Sequence, residues 1–86
     1  MTTYYANYNA NNGTCFREPI EGTNLKRIIK DIREIAEGNR FVHNECKWSV
    51  WVKDESRPYG VRYLAMGGVR SNGQRYRVQL SELIHM

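Results

Sequence analysis

The stretch TNLKRIIKDIREIAEG, Thr23 to Gly38, decides the fold. Leu25, Ile28, Ile29, Ile32, Ile35 and Ala36 recur at the i, i+3, i+4, i+7 spacing that gathers apolar side chains on one face of an α-helix. Thr23 stands where an N-cap accepts a backbone hydrogen bond, and Gly38 where a left-handed residue closes a helix. Together they predict a helix over 23–37. Its other face alternates in sign, with Arg27/Asp31, Lys30/Glu34 and Arg33/Glu37 at i, i+4. Such pairs contribute about 0.2–0.5 kcal/mol each and mark a solvated surface. One apolar stripe must be buried, and the remaining sequence supplies a sheet to bury it.

Downstream, Cys46 to Lys53 alternates Cys46, Trp48, Val50 and Val52 with Lys47, Ser49, Trp51 and Lys53, as a half-buried strand does. Two further strands, about 59–70 and 75–80, flank Asn72-Gly73, a strong short hairpin signal. A two-residue turn there pairs Arg70 with Arg75 and Val69 with Tyr76. The apolar sets then align if Val52 faces Tyr59 and Trp48 faces Tyr63. Trp51 falls opposite Gly60. A one-residue slip would turn every side chain over.

Upstream, TTYYANYN (residues 2–9) alternates and reads as a strand. Residues 10–22 read as an irregular connection, because Glu18-Pro19 disfavours helix. Residues 81–86 read as one helical turn capped by Ser81 or as a frayed end. The expected fold is one α+β domain over 1–86, of order β-α-β-β-β, with one helix on one face of a mostly antiparallel sheet. The scaling of surface with size gives a chain of 86 residues about 64% burial, enough for one thin core.

Hydrophobic content of 41% and charged content of 26% fit a globular domain. No apolar run reaches the ~18 residues of a membrane span. The N-terminus has no basic start or apolar stretch of the signal-peptide kind. These features predict a cytoplasmic protein without a membrane partner. Cys15 and Cys46 are expected to be reduced thiols, a Cys15–Cys46 bridge being the alternative.

The net charge is +4, and its location carries more than its size. Residues 1–56 carry eight Lys/Arg and eight Asp/Glu, whereas 57–86 carry Arg57, Arg62, Arg70, Arg75 and Arg77 against Glu82. In the expected register, one sheet face collects Lys47, Trp51, Lys53, Arg62, Arg70, Arg75 and Arg77, with Leu64 and Met66, and no carboxylate. That pattern points to an anionic partner. Nucleic acid comes first, with arginine on phosphate and Trp51 on an unpaired base. An acidic protein surface, or self-association through Trp51, Leu64 and Met66, is the alternative.

Catalysis is not expected. His43, Glu45, Arg62 and His85 supply the residue types of a small ribonuclease, but no spacing ties them together. His43-x-x-Cys46 is half of a zinc site, so neither metal nor cofactor is expected.

Overall fold

In a computed structural model, residues 2–10, 19–43 and 45–78 are described, with side chains excepted at 10 and 40–43. Among the described residues, five strands and one helix follow in the order β1 (Tyr4–Ala10), β2 (Ile20–Gly22), α1 (Leu25–His43), β3 (Cys46–Lys53), β4 (Val61–Val69) and β5 (Arg75–Val78). The strands form one antiparallel sheet in the order β2-β1-β3-β4-β5, and α1 packs across β1 to β4. The expected helix on a mostly antiparallel sheet is present, with the short β2 added where an irregular connection was expected. Among the described residues no helix is long and apolar enough to cross a membrane.

The helix stripe forms as the spacing dictates. Ile28, Ile32 and Ala36 are buried against Ala6, Tyr8, Cys46, Trp48, Val50, Ala65 and Val69. Leu25, Ile29 and Ile35 pack at the margins. Both expected ends of the helix shift. The cap is Asn24, whose Oδ1 accepts the Arg27 amide at 3.1 Å, so Thr23 lies outside. The helix runs through Gly38 to His43, with no positive φ at Gly38. An exposed helical glycine costs about 1 kcal/mol relative to alanine and does not by itself end a helix.

Two local irregularities set which side chains face the helix. Val50 opposes Ala65 but Trp51 opposes Tyr63, leaving Leu64 as the extra residue of a β-bulge. Beyond it, Tyr63 shares the face of Trp51, and Arg62 shares the face of Val52. The expected pairing of Val52 with Tyr59 and Trp48 with Tyr63 is therefore replaced.

The second irregularity is the hairpin tip. Gly73 donates to the Arg70 carbonyl at 2.8 Å, and Arg70 donates to the Gln74 carbonyl at 2.9 Å. Gly73 has φ 90°, the left-handed residue that closes a three-residue loop. Val69 consequently pairs with Arg75, and Gly68 with Tyr76. This is one residue away from the register of a two-residue turn, and it inverts β5. Arg75 and Arg77 stand on the helix side, while Tyr76 and Val78 stand on the other.

Gly67 and Gly68 make both inversions fit. The Trp48 indole lies against bare backbone at Gly67 on the helix side. The Tyr76 ring lies against Gly68 on the opposite side. The expected placement of Trp51 opposite Gly60 does not form. Gly60 instead occupies a left-handed turn at φ 73°, and Trp51 packs on Tyr5 and Tyr63.

Candidate nucleic-acid interface

The sheet face opposite α1 reads as three rungs across the strands. The first runs Glu21, Tyr5, Trp51, Tyr63; the second Asn7, Ser49, Met66, Val78; the third Asn9, Lys47, Gly68, Tyr76. Among the described residues no element packs against these rungs. Strand alternation alone places the β1 and β3 members there, because Ala6, Tyr8, Cys46, Trp48, Val50 and Val52 take the buried side.

The first rung is aromatic across three adjacent strands. Tyr5 and Trp51 lie near-parallel with centroids 6.2 Å apart, and Trp51 meets Tyr63 edge-on at 6.3 Å. Tyr63 remains 44% exposed. The ammonium of Lys53 lies 5.2 Å from the Tyr5 centroid, a cation–π contact at the end of the row. Sequence reasoning placed Trp51 here but missed Tyr5 and Tyr63. The signal for Tyr5 was present in the alternation of β1. Tyr63 was concealed by the bulge.

Of the seven residues expected on this face, Lys47, Trp51, Lys53 and Arg70 are there. The Arg70 guanidinium covers the Tyr76 ring at 5.0 Å. The other three are elsewhere. Arg75 makes a two-point pair with Glu37 of α1, its Nη2 to Oε2 distance being 3.1 Å. Glu37 holds the Arg75 guanidinium in its charged form. Arg77 lies 5.6 Å from the buried Trp48 ring. Arg62 pairs with Asp54 at 3.5 Å, at the end of the sheet. The face also carries acids, Glu21 in the first rung and Glu45 beside Tyr76. The all-cationic surface is therefore corrected to Lys53 at the aromatic row, with Lys47 and Arg70 near Tyr76 toward the other end of the strands.

Tyr76 donates to Glu45 Oε1 at 2.9 Å. Burial chiefly, then that hydrogen bond and the Glu45 charge, push its hydroxyl up to about 12. An unfolded tyrosine ionises near 10, so the folded state resists losing this proton. Stability owed to Tyr76 is therefore intact below pH 10 and is lost as pH rises from 10 toward 12. Urea unfolding across that interval is expected to show a loss that Tyr76→Phe reduces. An equal loss in both proteins would remove Tyr76 as its source.

Of the ribonuclease candidates, the two whose side chains are described, Glu45 and Arg62, lie apart. Glu45 precedes β3 and serves Tyr76, whereas Arg62 opposes Val52 near the other end of that strand. The side chain of His43 and the whole of His85 lie outside the described residues, as does Cys15. Cys46 is a buried free thiol, its pKa raised by burial and by the neighbouring Glu45. Among the described residues, no group of three or more His, Cys, Asp or Glu is placed to hold a metal.

A groove of about 630 Å³ lies between β2 and α1, floored by Ile20, Ile28 and Ile35. Its rim carries Asp31 and Glu34, with Arg27 paired to Asp31 at 3.9 Å. No family model, no curated protein and no solved structure matches this chain.

Proposed function

We propose that this protein is a small non-enzymatic nucleic-acid-binding domain that takes an unpaired strand on its open sheet face. The observation that carries this reading is the Tyr5–Trp51–Tyr63 row, with Lys53 at its end. Aromatic rings on a sheet stack on bases of any identity, and flanking cations track the phosphates. With Arg62, Arg75 and Arg77 off the face, the exposed rings favour an unpaired strand over a duplex. A phosphate grip on duplex DNA needs more cations than three, whereas stacking needs exposed rings. The residence we assign is cytoplasmic, where a buried thiol such as Cys46 stays reduced.

The test is a titration of labelled oligothymidylate and oligouridylate, following tryptophan emission, at low and moderate salt. Binding is expected to quench Trp51. Affinity is expected to fall with salt with a log–log slope of about −2 or steeper, since three cations on a single strand release about 0.7 counterion each. Duplex of the same length should bind more weakly. Absence of binding at low salt would leave an acidic protein surface as the reading of this face, and pull-down with acidic partners would follow.

A further inference from the structure

We propose that the loop joining β3 to β4, residues 54–60, is a second contact element of the same interface. In it Tyr59 stacks on an unpaired base, while Arg57 of the loop and Arg62 at the start of β4 grip phosphate. The proposal rests on the reading of the sheet face above.

Tyr59 is 92% exposed, so its ring contributes almost nothing to the core. Yet the loop that presents it is tightly built. Asp54 donates to the Gly60 carbonyl at 2.8 Å, Arg57 to the Asp54 carbonyl at 3.1 Å, and Gly60 to the Arg57 carbonyl at 3.0 Å. Asp54 Oδ1 also accepts the Ser56 amide at 3.0 Å and the Ser56 hydroxyl at 2.5 Å. These bonds, with the charges of Arg57 and Arg62, hold the Asp54 carboxyl below the usual carboxylate range. The hydrogen-bonded backbone that presents the ring needs little further ordering on binding, which is the advantage of preorganisation.

Asp54 is the hub. Its Oδ2 lies 3.7 Å from Arg57 Nε and 3.5 Å from Arg62 Nε. Those separations are too long for the forked hydrogen bonds of a closed pair, so the carboxylate orients two guanidiniums without saturating them. Both arginine side chains stay about half exposed. The Trp51–Tyr63 pair lies two rungs from Lys53–Val61, where the loop begins, or about 7 Å along the strands. One strand of nucleic acid can thus pass from the aromatic row to the loop. The bulge that takes Arg62 off the open face delivers it to this second element.

The test compares wild type, Trp51→Ala, Tyr59→Ala, Tyr59→Phe and the double variant Arg57→Gln/Arg62→Gln, by fluorescence anisotropy of labelled oligothymidylate. Tyr59→Ala is expected to weaken binding about tenfold, in the range of one lost base stack, and Tyr59→Phe to retain it. The double variant should make the salt slope shallower by about 1.4, the share of two phosphate contacts. Thermal midpoints serve as the folding control, because Tyr59 is outside the core. If wild type binds and Trp51→Ala weakens it while Tyr59→Ala and the double variant match wild type, the loop has no part in the interface. If wild type fails to bind at low salt, the sheet-face reading falls and this proposal with it.

Discussion

Replacing Trp48 with alanine is expected to lower the unfolding free energy by about 3–5 kcal/mol, a large share of the stability of a small domain. Trp48 is only 2% exposed and sits in the cluster of Ile32, Val50 and Val69. Its indole also fills the space above Gly67, where a Cβ would come within 2.7 Å of the ring. Removing the ring therefore opens a cavity over bare backbone and withdraws the surface on which Arg77 rests. The reverse change, Gly67→Ala, crowds the same spot. Its Cβ would lie 2.5 Å from the Tyr76 carbonyl oxygen, a backbone atom of the neighbouring strand that cannot rotate away. A loss of about 1–3 kcal/mol is expected there. Urea unfolding followed by far-ultraviolet circular dichroism measures both. A loss under 1 kcal/mol for Trp48→Ala would mean that the ring is not the keystone of the helix side.

The same residues explain how far the sequence could be read. The stripe from Leu25 to Ala36 and the alternation from Cys46 to Lys53 are each repeated several times, so their faces are overdetermined. The end of β3 and the start of β4 depend instead on one extra residue, Leu64. Nothing in Arg62-Tyr63-Leu64 announces a bulge, because either of its apolar residues suits a core position. The hairpin is subtler. Asn72-Gly73 serves a two-residue turn or a three-residue loop equally well, and the choice inverts Arg75-Tyr76-Arg77-Val78. Apolar burial favours the first register. Two contacts remote in sequence accompany the second, Arg75 with Glu37 and Tyr76 with Glu45. At the sheet edge, β5 lies beyond the main helix contact with β1 to β4. Burial is weak there, and such partners can outweigh it.

That inversion is also why the candidate site changed character while staying on the same face. Charge counting located a surface, and the local irregularities determined its chemistry. Lys47, Lys53 and Arg70 remain, but the repeated feature is now the aromatic rung. Cross-strand aromatic pairs stabilise a sheet by themselves, by about 0.2–1 kcal/mol per pair. The rung therefore has a structural contribution that must be separated from a binding one.

The separation is made by removing Trp51 and Tyr63 together. The double replacement Trp51→Ala/Tyr63→Ala is expected to weaken oligothymidylate binding by two orders of magnitude or more, since each stacked base is worth about 1–3 kcal/mol. Its effect on folding should be far smaller, about 1 kcal/mol, because the pair meets edge-on at 6.3 Å and Tyr63 is already half in solvent. Replacing both with phenylalanine keeps the π-faces and should restore most of the affinity, whereas leucine keeps apolar bulk alone and should not. Isothermal titration and thermal unfolding on the same preparations give the two numbers. If the alanine pair loses stability in proportion to affinity, and leucine rescues both, the rings act as packing. If affinity collapses while the thermal midpoint holds and only aromatic residues rescue it, the rung acts as a stacking platform.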